Sequence, residues 1–221
     1  FNEAKKLDEA TGSKCELMVA TDPDADRTGV TIKSANGEYI TLTGNQIGAL
    51  LVDYIIKGKK EANTLKENSA AIRSVVSSPL FDAICKSQGV KPLCVLTGFK
   101  YIGDQIALLE AKGEENRFIL GFEESYGYLV GTRVRDKDAV VATLMIAEMA
   151  AYYRSIGSSV NIALNEIYAK FGYYLNKVDS YEFEGLAGME TMKNIMQGLR
   201  DNPLESLGGM KVEVREDYNS L

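Results

Sequence analysis

Apolar and polar positions along the chain alternate between strand-like and helix-like periods. Short apolar runs predict buried strands, and apolar stripes at three-to-four-residue spacing predict amphipathic helices between them. The predicted strands are 17–20, 29–33, 38–42, 71–76, 93–96, 118–121 and 211–215. The predicted helices are 1–10, one from about 44, 79–87, 99–112, 138–156, 158–172 and 189–199, with 57–68 a polar surface connection and 173–183 extended chain. Strand–helix alternation predicts an α/β fold with a mixed, mainly parallel sheet flanked by helices, and a partial second α/β domain.

Short motifs mark where several of these elements begin and end. Asn36-Gly37 favours a tight turn between two strands and therefore a hairpin. Thr43 and Gln46 have the spacing of a capping box at a helix start. Gly12 stands where a left-handed helix C-cap is expected. These signals agree with the elements that the periodicity predicts.

Composition excludes several classes of function. The chain has 221 residues with 25 Lys+Arg and 31 Asp+Glu, and its net charge of −6 argues against nucleic-acid binding through a broad basic face. It contains no histidine, which excludes Ser-His-Asp triads and most zinc sites. The hydrophobic share of 45% is ordinary for a globular protein. Small anionic ligands, which need only a few local cations, remain possible.

The cysteines, the lengths of the apolar runs and the ends of the chain bear on its cellular location and on whether it is part of a longer protein. Three sparse cysteines without a CxxC motif predict reduced thiols and a cytoplasmic location. No apolar run approaches the roughly 18–20 residues of a membrane span, so no membrane partner is expected. Because the chain starts at Phe1 and ends without a closing element, we expect it to be a piece of a longer protein.

Three alternating aspartates follow the first predicted strand. In an extended segment the carboxylates of Asp22, Asp24 and Asp26 point to one side. Converging carboxylates repel one another unless a cation lies between them, and their hard oxygens suit Mg²⁺ or Ca²⁺. Arg27 follows at once and could face an anion beside that metal. The segment predicts a metal site, and the plainer alternative is a solvated acidic turn.

Two other metal motifs can be compared with this segment. An EF-hand loop needs Gly at its sixth position and Glu at its twelfth, where this chain has Arg27 and Lys33, so that interpretation fails. Haloacid-dehalogenase-type phosphatases also place a DxD motif after a buried strand, with Thr or Val two places further on. Asp26 stands there instead. The phosphatase remains a remote alternative, and it would require Asp22 to be phosphorylated.

A second candidate is the glycine-flanked segment 121–127. It follows a predicted strand and contains Glu123, Glu124 and Ser125. A carboxylate can accept hydrogen bonds from two neighbouring hydroxyl groups, which is the pattern that a sugar offers. An acidic turn at a strand end is the alternative.

Two further candidates lie at predicted helix starts. Thr97 and Gly98 precede a helix whose first turn contains Lys100, where the exposed amides and the helix dipole would favour a proton-transfer role. Arg135 and Lys137 belong to a mixed-charge loop that could hold a phosphate. Solvated helix starts are the alternative for both. All four candidates follow or end strands, at the edge where open α/β sheets bind ligands.

Taken in order, four segments resemble the α-D-phosphohexomutase family, the phosphoglucomutase/phosphomannomutase group. They are ATDPDADR at 20–27, LTGFKYIG at 96–103, GFEESYGY at 121–128 and RDKD at 135–138. In detail they are similar to the long-chain branch, which includes bacterial phosphoglucomutases and phosphopentomutase-like members. The resemblance covers nearly the whole chain, and it implies a sheet of the family's third-domain type.

The resemblance implies reversible phosphoryl transfer between the 1- and 6-positions of a hexose phosphate, through a phosphoserine and a bisphosphate intermediate. It implies one Mg²⁺ and glucose 1,6-bisphosphate as activator, with a sugar phosphate as substrate. The implied residues are Asp22, Asp24 and Asp26 for the metal, Lys100 and Arg27 for catalysis, and Thr97, Gly98, Glu123, Ser125, Arg135 and Lys137 for substrate binding. Some relatives end the sugar loop in His where this chain has Tyr126 or Tyr128, which moves the proton-transfer role to Lys100.

The resemblance also implies a domain division. Residues 1–41 are similar to the C-terminal part of the second domain, 42–180 to the third, and 181–221 to the connection toward the fourth. The first domain's Ser-His-Asn motif and the fourth domain's Arg-Pro-Ser-Gly-Thr segment are not in this chain. We therefore expect domains 1 and 4 of the same polypeptide as partners, and no turnover by this chain alone. A phosphopentomutase, a sugar-bisphosphate synthase and an inactive ligand-binding fragment are the alternatives.

Overall fold

The computed structural model describes residues 1–12, 15–34, 36–176 and 181–218. The chain divides into two compact units, 1–175 and 176–221. The resemblance divides the chain by family domain instead, with boundaries at 41/42 and 180/181, and that division stays a prediction.

The first unit begins with a helix and a small antiparallel sheet. Its elements are α1 (Asn2–Thr11), β1 (Leu17–Thr21), β2 (Thr28–Lys33) and β3 (Tyr39–Thr41), with the strands in the order β1-β2-β3. Gly12 caps α1 in the left-handed region at φ 66°, as its sequence position predicts. Val30 and Ile32 of β2 are buried and join the main core, so this sheet packs against the rest of the unit.

A four-stranded sheet forms the centre of the first unit. Its strands are β4 (Ala70–Ser74), β5 (Lys91–Val95), β6 (Phe118–Glu123) and β7 (Gly127–Leu129), in the order β5-β4-β6-β7. β4 pairs in parallel with both β5 and β6, and only β7 is antiparallel. The mixed, mainly parallel sheet confirms the predicted fold class. β7 was not among the predicted strands, because it has only three residues and follows β6 through a tight turn.

Helices cover both faces of this sheet. They are α2 (Gly44–Glu61), α3 (Leu80–Ser87), α4 (Phe99–Glu110), α5 (Ala139–Ser155) and α6 (Val160–Phe171). On one face, Ile102 and Ile106 of α4 pack against Ile72 and Phe118. On the other, the core of α2, α3, α5 and α6 includes the tilted ring pair Phe81–Phe122, with centroids 4.8 Å apart. Within the described residues, no single helix is long and apolar enough to cross a bilayer, and α5 and α6 would reach that length only as a pair bent by 88°.

Helix boundaries follow the cap residues where the sequence contains them. Thr43 and Gln46 form the predicted capping box at the start of α2, and the Asp138 side chain caps α5. The other end of α2 was wrongly predicted, because the helix continues to Glu61 through the first part of the supposed connection 57–68. Lys57 Nζ pairs with Asp53 Oδ2 one turn earlier at 2.6 Å, which supports the added turn.

The second unit contains α7 (Gly185–Asp201), β8 (Ser206–Leu207) and β9 (Met210–Lys211). The predicted helix 189–199 lies inside the longer α7. The predicted strand 211–215 is wrong beyond Lys211, because only Met210 and Lys211 pair with β8. Of the predicted extended stretch 173–183, residues 177–180 lie outside the described residues.

Candidate functional site

Residues 22–27, here called the aspartate loop, connect the C-terminal end of β1 to β2. One carboxylate oxygen each from Asp22, Asp24 and Asp26 lies within 4.8 Å of the others. Ala25 holds the turn in the left-handed region at φ 56°, and its N–H donates to the Asp22 carbonyl at 3.1 Å. The structure therefore brings the three predicted metal ligands together. A set of three hard oxygen donors at this spacing fits Mg²⁺ or Ca²⁺.

The Asp22 side chain stabilises the aspartate loop through contacts within it. Its Oδ1 accepts hydrogen bonds from the N–H groups of Asp26 and Arg27 at 3.2 and 3.0 Å, and its Oδ2 lies 3.2 Å from Arg27 Nε. The Arg27 N–H hydrogen bond is the largest cause that lowers the pKa of Asp22, and the Asp26 contacts and the Arg27 charge act in the same direction. The Arg27 guanidinium, half-exposed, spans Asp22 and Asp26 and is one of the local counter-ions of the cluster.

The lowered pKa of Asp22 predicts an acid dependence of stability. The folded state favours the carboxylate, so this contribution is complete above the unfolded pKa near 3.8 and is lost as the pH falls through the lower folded pKa. We expect Asp22→Asn in metal-free protein to show a shallower fall of Tm with acid than the unsubstituted chain. Thermal melts between about pH 2 and about pH 7 measure this difference. Parallel curves for the two proteins would contradict it.

A second loop, residues 123–127, here called the glutamate loop, adjoins the aspartate loop. The Thr28 N–H donates to the Tyr126 carbonyl at 3.0 Å, and Arg27 forms an isolated antiparallel bridge with Gly127. The start of α5 joins the same assembly, because the Ala139 N–H donates to the Ala25 carbonyl at 3.1 Å. Two sequence motifs about a hundred residues apart are thus neighbours through backbone hydrogen bonds.

Glu123 and Gly98 connect the glutamate loop to the start of α4. Glu123 ends β6 and is 6% exposed, and its Oε1 accepts a hydrogen bond from the Gly98 N–H at 2.6 Å. Gly98 is the N-cap of α4 at φ 119°, a backbone conformation that favours glycine. One oxygen of Glu123 is therefore occupied by the chain itself, and the carboxylate ties the glutamate loop to the start of α4.

Lys137 lies against the aspartate loop. Its Nζ is 3.0 Å from Asp26 Oδ2 and 3.1 Å from Asp136 Oδ1, and it stands 5.5 Å from the centroid of the Phe99 ring. Burial acts to lower the pKa of Lys137, but the hydrogen bonds to Asp26 and Asp136 raise it overall. The side chain is thus a second local cation at the cluster, a placement that the sequence motif alone did not indicate.

The remaining candidates are placed less closely. Thr97, Lys100 and Ser125 are exposed, and Lys100 Nζ lies over the Tyr101 ring at 4.9 Å in the first turn of α4. The Arg135 guanidinium pairs with Glu110 in the last turn of α4. Arg135 thus makes no described contact with the other predicted site residues, whereas Gly98, Glu123, Lys137 and the aspartate loop form one connected group. The chemical roles of all of them stay predictions.

Ser74 and Ser77, two serines that contact Glu124, were absent from the sequence predictions. Glu124 Oε2 lies 3.0 Å from Ser74 Oγ and 3.1 Å from Ser77 Oγ, just beyond the end of β4. The signal that could have found them is the group of hydroxyl side chains at Ser74, Ser77 and Ser78, because they lie at the end of a predicted strand, where open α/β sheets bind ligands.

Known proteins resemble this chain in sequence. Residues 43–171 match the family profile described as phosphoglucomutase/phosphomannomutase, alpha/beta/alpha domain III. The chain is 37% identical over 218 residues to the phosphoglucomutase of Staphylococcus aureus strain N315, which is 99% of this chain and 38% of that protein. The chain thus spans under two fifths of the length of this curated relative.

Two solved structures are similar in fold. The open form of parafusin, a phosphoglucomutase from Paramecium, superposes with a TM-score of 0.64 at 21% identity, over 92% of this chain and 33% of that one. The N-acetylphosphoglucosamine mutase of Aspergillus fumigatus, in complex with GlcNAc-6P and magnesium, superposes with a TM-score of 0.50 at 16% identity, over 75% of this chain and 37% of that one.

Proposed function

The chain belongs to the phosphoglucomutase/phosphomannomutase family, and we propose that it is the part of a longer enzyme that holds a metal ion and a hexose phosphate. The proposed reaction is reversible transfer of a phosphoryl group between the 1- and 6-positions, through a phosphoserine and a bisphosphate intermediate. The identity of 37% to a phosphoglucomutase supports glucose phosphate as the substrate over a pentose phosphate. The phosphoserine and the fourth-domain phosphate contacts would come from parts of the polypeptide outside this chain.

The observation that carries the proposal is the direct junction of two loops with complementary chemistry. The Arg27–Gly127 bridge and the Thr28–Tyr126 hydrogen bond hold the aspartate loop beside the glutamate loop. Phosphoryl transfer needs a charge-neutralising metal next to a site that orients the hydroxyl group, because its catalysis is mainly positioning and electrostatic stabilisation. A solvated acidic turn would not need this fixed partner.

Asp22, Asp24 and Asp26 would hold Mg²⁺, as their oxygen donors and spacing fit. When bound, the metal would neutralise charge on the phosphoryl group. Magnesium is present in the complex of the Aspergillus mutase, which supports the same ion here. Arg27 lies beside these carboxylates, and its exposed guanidinium can steady the phosphoryl oxygens through charge-assisted hydrogen bonds.

Glu123 and Ser125 would hold sugar hydroxyl groups. The Gly98 N–H fixes the Glu123 carboxylate, which leaves its second oxygen as the acceptor for substrate. Ser125, exposed on the same loop, can donate and accept. Lys100, in the first turn of α4, would transfer the proton to or from the reacting hydroxyl group.

Four further residues complete the proposed substrate site. Thr97 and Gly98 would line the substrate site, while Lys137 and Arg135 would contact phosphate after exchanging their present carboxylate partners. Glucose 1,6-bisphosphate would be the activator, since it can phosphorylate the serine directly. A cytoplasmic location is part of the proposal, and the three sparse cysteines, which form no CxxC motif, support it.

An assay of the complete polypeptide tests the function. Interconversion of glucose 1-phosphate and glucose 6-phosphate, dependent on Mg²⁺ and primed by glucose 1,6-bisphosphate, is the expected result. Absence of interconversion under these conditions would refute the proposed substrate. A bisphosphate product would instead favour the sugar-bisphosphate synthase.

Glu123→Gln separates sugar binding from metal chemistry. The substitution keeps the size but removes the charge, and charge-assisted hydrogen bonds contribute about 1.5–3 kcal/mol each. We expect kcat/KM to fall by about one to two orders of magnitude, at about 1.4 kcal/mol per decade. Phosphorylation of the serine by a bisphosphate donor should fall less.

The matched control for Glu123→Gln is Glu148→Gln. Glu148 accepts a hydrogen bond from the Tyr54 hydroxyl at 2.7 Å between α2 and α5, away from both loops. Its kcat/KM should match that of the unsubstituted enzyme. An unchanged kcat/KM in Glu123→Gln would remove Glu123 from the substrate site.

A further inference from the structure

The glutamate loop has a buried polar support that none of its proposed substrate contacts explains. The Ser74 and Ser77 hydroxyls lie 2.7 Å from one another, and both lie within hydrogen-bond distance of Glu124 Oε2. The two serines are 0% and 2% exposed. Two hydroxyl hydrogens serve three close contacts, so at least one of them must be donated to the carboxylate. A buried serine pair therefore holds the side chain that follows Glu123.

The segment that carries these serines, residues 74–78, is itself held from two sides. The Arg73 guanidinium donates to the carbonyls of Ser74 and Ser77 at 3.1 Å each and forms a two-pronged pair with Asp82 at 2.7 Å. From the other side, the Ser78 N–H donates to Asn45 Oδ1 at 2.8 Å. Planar two-pronged arginine pairs fix orientation as well as distance. The serine hydroxyls consequently stand at set positions before Glu124 reaches them.

The backbone of the glutamate loop is fitted closely to the start of α2. A Cβ on Gly44 would lie 2.7 Å from the Glu124 carbonyl carbon and 3.1 Å from the Tyr126 nitrogen. The Tyr128 hydroxyl, fully buried, donates to the Gly44 carbonyl at 3.1 Å. This surface sets the position of the backbone of the glutamate loop, while the Glu124 side chain supplies a charge-assisted bond to β4.

We propose that Glu124 is a positioning residue, which holds residues 123–127 through Ser74 and Ser77 and thereby sets where Glu123 and Ser125 meet the sugar phosphate. The two neighbouring glutamates then have different roles, because Glu123 accepts a hydrogen bond from the Gly98 N–H, whereas Glu124 contacts Ser74 and Ser77 at the end of β4. The effect on substrate rests on the proposed function, whereas the anchoring of the loop does not.

The test uses the complete polypeptide with Glu124→Ala, Glu124→Gln and the control Glu148→Ala, which removes a carboxylate–hydroxyl bond elsewhere. Glu124→Ala should raise KM for glucose 1-phosphate about tenfold to a hundredfold, as expected for loss of a charge-assisted bond. The Mg²⁺ concentration for half-maximal activity should stay within about twofold, since Asp22, Asp24 and Asp26 are untouched. Glu124→Gln keeps an acceptor oxygen for a neutral hydrogen bond, so its KM should lie between those of Glu124→Ala and the unsubstituted enzyme.

A second readout needs no activity. The Gly98 N–H donates to the Glu123 carboxylate, and the Thr28 N–H donates to the Tyr126 carbonyl. The hydrogen-exchange rates of these two amides therefore report whether the glutamate loop keeps its position. Both amides should exchange about tenfold faster in Glu124→Ala and not in Glu148→Ala. Should Glu124→Ala fail to fold, Ser77→Ala, which removes one donor, is measured in its place with the same two readouts.

The outcomes separate the two proposals. Raised KM and faster exchange in Glu124→Ala, with partial recovery in Glu124→Gln, support the positioning role. Unchanged exchange of both amides overturns it, and so does a KM equal to that of the unsubstituted enzyme at equal folded fraction. An unsubstituted polypeptide without mutase activity refutes the proposed function alone, because exchange still decides the anchoring.

Discussion

Asp24→Ala should reduce mutase activity of the complete polypeptide by about a thousandfold or more. A bound divalent cation contributes several kcal/mol to charge stabilisation, and each ~1.4 kcal/mol is tenfold in rate. Removing one of three carboxylates leaves too few protein ligands for an ion that gives up water reluctantly. The measurement is the rate of glucose 1-phosphate conversion over a Mg²⁺ titration, together with direct Mn²⁺ binding.

Asp24 is the suitable member of the cluster for this test. It is exposed, and no hydrogen bond to its carboxylate is found within the described residues, whereas Asp22 holds the loop together through the Asp26 and Arg27 N–H groups. Asp24→Ala should therefore leave Tm in the metal-free protein nearly unchanged. The matched control is Asp104→Ala on the exposed side of α4, which should keep full activity. Near-normal turnover of Asp24→Ala at limiting Mg²⁺ would mean that the aspartate loop is a solvated turn.

The fold was largely predictable because its strands are short apolar runs and cap residues mark the starts of its long helices. The cap residues Thr43 and Asp138 begin α2 and α5 where the sequence predicts. The errors arose where local pattern is weakest. β7 is three residues long, and the last turn of α2 is polar in composition, so its pattern resembles that of a surface connection although the Lys57–Asp53 pair supports the helix. The strand expected at 211–215 has partners only for its first residue, since pairing depends on another strand and not on alternation.

The candidate site was predictable only as separate motifs. Acidic residues after strands indicated Asp22, Asp24 and Asp26, but nothing in a local pattern says that Lys137 pairs with Asp26 or that Arg135 pairs with Glu110. These partners are chosen by tertiary packing.

Backbone conformation was equally hidden from the sequence. Tyr126 adopts φ 70°, a left-handed conformation uncommon outside glycine, and its carbonyl thereby accepts the Thr28 N–H. A pattern of side chains contains no sign of this. The connection of the two loops, which carries the functional argument, could therefore be seen only in three dimensions.

Gly44→Ala should destabilise the protein strongly. Its Cβ would meet backbone atoms of the glutamate loop, the Glu124 carbonyl carbon at 2.7 Å and the Tyr126 nitrogen at 3.1 Å, and backbone gives way less easily than a flexible side chain. Overpacking of this kind costs about 3 kcal/mol, which in a domain of this size lowers Tm by roughly 6–12 °C. The glutamate loop must shift, so the rate of sugar-phosphate turnover should fall as well.

Gly58→Ala is the matched control in the same helix. A Cβ there meets nothing within 4 Å, and the position is exposed, so only the helix preference of alanine over glycine acts. That preference is about 0.5–1 kcal/mol, so Gly58→Ala should raise Tm by a few degrees and leave turnover unchanged. Thermal melts and mutase assays on the two variants measure both effects. Equal Tm values for Gly44→Ala and Gly58→Ala would show that the glutamate loop moves aside at Gly44 without cost. The close contact between α2 and this loop would then not fix the position of the site.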